Sequence, residues 1–259
     1  MEMEIFILEL TRRCNMECKH CLRGKQRNED MPRKYLHDFF SRVDAIQAIT
    51  LSGGEPSIAP HVIQDLAEEI KITGIDIGNF YIVTNGKEVS NEFLKSVEAM
   101  KKACSQNDKS HVEVSNHVYN KSLTDANIQR LKTLSIPVKV KYESEIFFPY
   151  TILNEGFAKE NGLGYRDFPL PYYRKKYINF DREFLSRRIM LYLNTRGKVL
   201  YGCNWSYESQ ENPQHIICNA KDFSFDTFLN FYVRYPTRHT TMRTFLKENK
   251  KLPQKIQWR

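Results

Sequence analysis

The sequence predicts an α/β fold, built as a full or partial β/α barrel. Short apolar, β-rich runs alternate with runs of helical periodicity from residue 4 to residue 142. Such alternation predicts parallel strands with helices covering the sheet, and it repeats too often for a small sandwich. A chain of 259 residues, 41% hydrophobic and 12% aromatic, can also bury one sizeable core.

Residues 4–10 (Glu-Ile-Phe-Ile-Leu-Glu-Leu) read as a buried strand, and a cysteine-rich loop follows at once. Residues 32–45 read as a helix, with Tyr35, Leu36, Phe39, Phe40 and Val43 at helical spacing. Residues 48–52 form the second strand, ending in Gly53-Gly54-Glu55-Pro56. The next helix, 61–72, gathers Val62, Ile63, Leu66 and Ile70 on one face and keeps Asp65, Glu68 and Glu69 largely off it. The third strand, 80–83, closes on Thr84-Asn85-Gly86, and helix 91–104 turns Phe93, Leu94 and Val97 inward. Strand 112–115, helix 125–134 and strand 137–142 complete the regular part.

Beyond Glu143 the rhythm breaks. Residues 147–176 are aromatic, proline-containing and irregular, as expected of a lid or substrate-facing loop. Regularity returns at 188–193, followed by a Thr195-Arg196-Gly197-Lys198 turn and residues 199–201, a predicted hairpin. Residues 225–233 read as an amphipathic helix with Ser224 as N-cap. The expected organisation is a β/α core over 1–145, an irregular insert over 146–187, and a last barrel strand with its extension over 188–259. Together these make a partial (β/α)6 barrel of the TIM type with a small C-terminal extension.

The formal net charge of +8 is concentrated late, in 159–188 (Arg174-Lys175-Lys176, Arg187-Arg188) and 243–259. It reads either as a solvated basic surface or as a surface for nucleic acid or acidic peptide. Residues 1–10 carry three glutamates and no basic leader, and no apolar run is long enough to span a bilayer. The expectation is a soluble cytoplasmic protein with no membrane partner.

Of six cysteines, Cys14, Cys18 and Cys21 crowd into eight residues just after the first strand. Thiolates at this spacing suit an iron–sulfur cluster or zinc. Zinc would need a fourth ligand such as His20 or His37. Three thiolates can instead hold three irons of a cubane and leave the fourth open. Gly53-Gly54-Glu55-Pro56 taken alone is an ordinary turn, and Thr84-Asn85-Gly86 is a turn favoured by Asn-Gly.

Cys14-x-x-x-Cys18-x-x-Cys21 after the first strand, with His20 before the third cysteine and Gly53-Gly54-Glu55-Pro56 ending the second strand, resembles the radical S-adenosylmethionine (SAM) superfamily. The resemblance implies a single [4Fe–4S] cluster on Cys14, Cys18 and Cys21. It also implies a SAM site using Gly53, Gly54 and Glu55 for the methionine amine, with His20, Thr84 and Asn85 as further cofactor-binding residues and Ser115 (beside Asn116) against the ribose. The family's later glycine-and-isoleucine pattern is not evident, so adenine contacts stay unassigned. The implied chemistry is reductive cleavage of SAM to a 5′-deoxyadenosyl radical that abstracts hydrogen from substrate, with electrons from a flavodoxin- or ferredoxin-type donor.

Gly197-Lys198-Val199-Leu200-Tyr201-Gly202-Cys203 resembles the downstream hairpin of peptide- and protein-modifying members. There a SPASM or Twitch domain carries an auxiliary cluster. Only Cys203 and Cys218 lie beyond the barrel, too few for that cluster, so the segment reads as a shortened, cluster-free relative. The pair is read as a redox couple, a two-thiolate metal site or ordinary core; Cys104 is read as a buried small apolar residue. A peptide or protein substrate is expected ahead of a nucleotide or tRNA, with a non-catalytic cluster protein as the third reading. No catalytic residue is singled out: Glu143, Tyr201 and Cys203 are candidates by location alone.

Overall fold

The computed structural model describes residues 1–116, 123–141, 152–164, 184–185 and 190–234. Strand β1 (Glu2–Thr11) is buried along most of its length, and it sits in the middle of the sheet. On one side it pairs in parallel with β2 (Ala45–Gly53), which pairs with β3 (Asp76–Thr84), then β4 (His111–Ser115) and β5 (Val138–Lys141). On the other side it pairs in parallel with β6 (Phe184–Leu185) and β7 (Leu191–Leu193). Antiparallel β8 (Lys198–Tyr201) and β9 (Ile216–Asn219) extend that edge. The expected α/β architecture is therefore present as a parallel-dominated sheet in the order β5-β4-β3-β2-β1-β7-β8-β9, open among the described residues.

Helices α1 (Arg33–Phe40), α2 (Pro60–Thr73), α3 (Asn91–Ala103) and α4 (Asp125–Leu131) link the first five strands. α1 ends well short of residue 45, because strand pairing claims Ala45 and Ile46 against Glu2 and Met3. α4 stops at Leu131, and Leu134 and Ile136 turn back into the core. The hairpin β7–β8 and helix α6 (Phe225–Arg234) form where the sequence predicts them, and Ser224 Oγ accepts from Thr227 N at 3.1 Å. β9 had no expectation. Its four residues are all half-buried, so its sequence shows no alternation.

Side-chain alternation gives the sheet two unlike faces. Phe6, Leu8 and Leu10 meet the helices, and Phe6 stacks on Phe39 of α1 with ring centroids 4.5 Å apart. Phe39 in turn packs on Phe223, at 5.0 Å, which joins the C-terminal segment to the same core. The opposite face is polar. One row across it reads Tyr192, Ile7, Thr50, Tyr81 and His111, with Tyr81 stacked on His111, and Lys141 pairs with Glu113 at 2.8 Å.

On this inner face Glu9 follows Ile7 along β1. Glu9 is wholly buried and its carboxylate accepts five hydrogen bonds: from Arg12 Nε (2.7 Å), Tyr192 Oη (2.6 Å), Gln210 Nε2 (3.0 Å), and Thr195 N and Oγ1 (3.1 Å each). Burial alone would push this carboxyl up. The guanidinium groups of Arg12 and Arg23 and the Tyr192 hydrogen bond outweigh it and hold the group below the usual carboxylate range. Arg12 Nη2 also donates to Gln210 Oε1 at 2.6 Å. The hydrogen bonds thus fasten β1 to β7, to the hairpin turn and to the 209–211 turn.

The basic runs at 174–176, 187–188 and 243–259, most of the aromatic insert, and Glu143 lie outside the described residues. Among the described residues no helix is long and apolar enough to cross a membrane. The Glu9 arrangement makes a stability prediction. Glu9→Gln removes the fully buried counter-charge beside Arg12 and Arg23, leaving Arg12 only the partly exposed Glu29 and Glu211, and should cost about 3–5 kcal/mol in urea unfolding.

Candidate active site

The cysteine loop begins where β1 ends and is closed at its base. Arg12 N donates to Glu29 O, Met31 N to Leu10 O, and Thr11 bridges Asp30 as an antiparallel pair. Arg13 clamps the closure with a two-pronged ion pair to Asp30, at 2.8 and 2.7 Å, and donates again to Ile58 O at 3.0 Å. Thr11 Oγ1 adds a 2.6 Å bond to Asp30. Burial opposes the Asp30 charge, but the hydrogen bonds from Arg13 and Thr11 hold its carboxyl below its ordinary value.

The Gly53-Gly54-Glu55-Pro56 turn lies directly against this base. Gly54 N donates to Thr11 O and Glu55 N to Arg13 O, at 2.7 and 2.8 Å. Gly53 adopts a φ of +145°, and a Cβ at Gly54 would collide with the carbonyl of Arg13. The glycines are thus required for one backbone to pack on another, beneath the cysteines.

Glu55 joins this turn to the next strand end. It is 2% exposed. Its Oε1 accepts from Ser57 N (2.9 Å) and Thr84 Oγ1 (2.6 Å), and its Oε2 from Asn85 N (2.8 Å). Burial still raises the Glu55 pKa despite these bonds. Asn85 Nδ2 reaches back to Asn15 Oδ1 in the cysteine loop at 2.8 Å, and Lys87 Nζ donates to Asn15 O at 2.8 Å. Ser115 ends β4, one residue beyond the Val114 that pairs with Thr84. The cysteine loop and the predicted residues Gly53, Gly54, Glu55, Thr84, Asn85 and Ser115 therefore occupy the C-terminal ends of β1 to β4, in order.

Cys14, Cys18 and Cys21 are all half-buried free thiols. Cys14 and Cys18 line a cavity of about 680 Å³ with Asn15, Gln26 and Lys87. Burial pushes Cys14 up to about 11, helped by the charges of Glu55, Cys21 and Cys18, so the thiols share one electrostatic neighbourhood. No three His, Cys, Asp or Glu side chains among the described residues stand ready to hold one metal ion. A cubane asks for something else, since each thiolate binds its own iron and the sulfurs stand apart. The donor set fits that group. It does not fit zinc with His37, whose Nδ1 is engaged by Glu69 of α2 at 2.9 Å. His20 sits in the loop, half-buried, one residue before Cys21.

Part of the insert secures the same loop. Helix α5 (Gly156–Glu160) places Phe157 N on Cys21 O at 2.9 Å, and Asn161 Nδ2 donates to Lys19 O at 3.2 Å. The C-terminal region holds the loop from the other side: Arg23 Nη1 donates to Trp205 O (2.6 Å) and its guanidinium lies 4.7 Å over the Tyr192 ring. Cys203 packs with Ile7, Tyr192 and Leu200, whereas Cys218 packs with the main core. The two thiols therefore form neither a redox couple nor a shared metal site here. Cys104 is buried in the core as expected, and Tyr201 is a core residue against Phe231.

Sequence reasoning missed Arg13, Asp30, Asn15 and Lys87, which tie the loop to its neighbours, and the Glu9 arrangement behind it. The available signal was charge out of place: Glu9 inside an apolar strand, and Arg12-Arg13 between that strand and the first cysteine.

Residues 8–131, just under half of the chain, match the family model of the Radical SAM superfamily. Over 103 residues the chain is 34% identical to the tungsten-containing aldehyde ferredoxin oxidoreductase cofactor-modifying protein of Pyrococcus furiosus. That match covers 37% of this chain and only 27% of the relative's length. The fold is similar to native anSMEcpe, solved with bound AdoMet and either Cp18Cys or Kp18Cys peptide, with a TM-score of 0.55 over 88% of this chain and 80% of that one. At 12% identity that likeness is one of fold.

The packing of the loop base yields two predictions. Gly54→Ala must displace the Arg13 backbone, so it should cost about 1–3 kcal/mol and loosen the cysteine loop, read by hydrogen exchange at residues 12–30. Asp30 has a folded pKa below its ordinary 3.8, so its contribution is present above 3.8 and lost as pH falls through the folded value. Asp30→Asn should therefore be less stable than wild type by about 1 kcal/mol at neutral pH, and the gap should close on acidification.

Proposed function

We propose that this chain, whose residues 8–131 carry a radical SAM domain, holds one [4Fe–4S] cluster on Cys14, Cys18 and Cys21 and cleaves SAM reductively to modify a peptide or protein. The observation that carries the reading is the coupling of three strand ends. The cysteine loop, the Gly53–Pro56 turn and the Thr84–Gly86 turn are hydrogen-bonded to one another through Arg13, Glu55 and Asn85. When bound, the cluster supplies an electron to SAM, whose cleavage gives a 5′-deoxyadenosyl radical that takes hydrogen from substrate.

The chain's own residues do the positioning. Cys14, Cys18 and Cys21 would hold three irons of the cluster, and the fourth would be free for the amine and carboxylate of SAM. Glu55 has about four acceptor positions and the protein fills three, so the one left on Oε2 can accept from an N–H of the SAM amine. Ser115, on the next strand end but one, would meet the ribose. Lys87 and Asn15 border the same cavity and can orient the carboxylate. The polar inner face of the sheet gives substrate groups hydrogen-bonding partners that an apolar barrel interior would lack.

A peptide substrate is favoured by the hairpin β7–β8, which extends the sheet as in the sequence resemblance, and by the fold likeness to anSMEcpe, a protein solved with peptide bound. A flavodoxin- or ferredoxin-type protein would be the electron donor.

Anaerobic reconstitution with iron and sulfide, followed by dithionite and SAM, tests the reading. Wild type should take up a cluster and form 5′-deoxyadenosine, and alanine at any of Cys14, Cys18 or Cys21 should lower both to background. A wild-type protein that forms no 5′-deoxyadenosine under any substrate condition would overturn it. RNA binding that weakens steeply with salt would move the substrate from peptide to RNA.

A further inference from the structure

Two cavities flank the cysteine loop, and the proposed reaction uses one of them. Cys14, Cys18 and Lys87 line the cavity of about 680 Å³ proposed for SAM. The second, of about 1020 Å³, is walled by residues 23–27, which lead out of the loop, by helix α5 and by the 206–212 turn. The two cavities share Gln26 and no other lining residue.

The walls of the larger cavity are fastened to one another at Cys21. The Cys21 carbonyl accepts from Gly24 N at 3.4 Å and from Phe157 N at 2.9 Å, so two walls are bonded to the third cysteine. Gly156, at a φ of +51°, packs so closely that a Cβ would collide with Leu22 O and Gly24 N. The third wall is tied to both others. Tyr207 N donates to Arg23 O at 3.0 Å, and Ser206 N and Ser209 Oγ donate to Glu155 at 3.3 and 3.0 Å. The result is a braced hollow beside a cluster ligand, separate from the SAM cavity.

Its charge sets what it receives. Lys25 and Lys159 are exposed on the rim and Arg27 is half-buried in the wall; none of the three forms an ion pair among the described residues. Of the lining carboxylates, Glu155 is occupied by the bonds just named, which leaves the exposed Glu160 and Glu208. Cations thus outnumber the carboxylates open to a partner, and the whole chain carries a formal charge of +8. Such a field steers an acidic protein toward this face. A concave hollow also takes a protruding group better than a flat surface. The proposed reaction calls for such a visitor, because an electron must reach the cluster while SAM fills the other cavity.

We propose that this hollow is the docking site of the electron donor, an acidic flavodoxin-type protein. Its flavin, held in a crevice outside its own strand ends, would present a ring edge between the cysteine loop and α5. One electron leaves the reduced flavin, which is oxidised, and enters the cluster, which is reduced; no bond is made or broken. This docking role rests on the cluster reading above and adds the donor's place and chemistry to it.

The test uses full-length protein, a purified acidic flavodoxin and two variants, the double change Lys25→Glu with Lys159→Glu and the single change Glu208→Lys. Flavodoxin binding is measured by calorimetry at low salt, before and after anaerobic reconstitution. It should weaken on the order of tenfold in the double variant and tighten severalfold in Glu208→Lys, a gain that misfolding cannot mimic. Both effects should fade at high salt. In the reconstituted proteins, 5′-deoxyadenosine formation driven by reduced flavodoxin should follow the same order. Formation driven by dithionite should stay at the wild-type rate, because a small reductant needs no docking surface. Unchanged flavodoxin binding in both variants overturns the assignment, and so do equal losses with the two reductants. A loss seen with reduced ferredoxin and not with flavodoxin overturns it as well. Wild type that forms no 5′-deoxyadenosine with dithionite fails the cluster reading itself. Wild type that forms it, beside variants with no flavodoxin defect, removes only the docking site.

Discussion

The buried carboxylate of Glu9 is the constraint on which the rest of the structure depends. A charge at the centre of a sheet is tolerated only when every acceptor position is filled by a good donor. Here the donors come from four places in the chain: Arg12 just beyond the strand, Tyr192 in β7, Thr195 in the hairpin turn and Gln210 in the 209–211 turn. Satisfying one group therefore draws the C-terminal segment onto the inner face of the sheet. It also sets the direction in which Arg12, and with it the cysteine loop, leaves β1.

The loop inherits its rigidity from that start. Backbone bonds between Arg12 and Glu29 and between Leu10 and Met31 close it, and the Arg13–Asp30 pair locks the closure. The glycine turn then packs on the same stretch of backbone, and Glu55 passes the constraint on to Thr84 and Asn85. Three strand ends are held by short polar bonds where water is scarce, which suits a site that must present a ligand set in one geometry. Helix α5 and the 205–210 stretch press on the loop from outside. Part of what the sequence suggests as a substrate-facing insert thus also serves to hold Cys21.

Much of this was legible before the fold was known. Each of the first five strands and the four helices between them announced itself by periodicity, because a strand covered by helices must be apolar where it is buried. The residues Cys14, Cys18, Cys21, Gly53 to Pro56, Thr84 and Asn85 were legible as motifs because their spacing is tied to successive strand ends. Illegible were Asp30, Asn15 and Lys87: a charged or amide residue in a loop looks the same whether it is solvated or clamped.

The sequence by itself determined the alternation, the cysteine trio and the turns that accompany it, since local periodicity and short-range spacing are properties of neighbouring residues. Only the tertiary structure decided that β7 lies against β1 and that Cys203 and Cys218 pack apart. It alone decided that the two glycines serve backbone packing beneath the cysteines, and that Glu9 gathers donors from residues up to 201 positions away. Those outcomes depend on which groups must share a buried space, and that competition exists only once the chain has closed on itself.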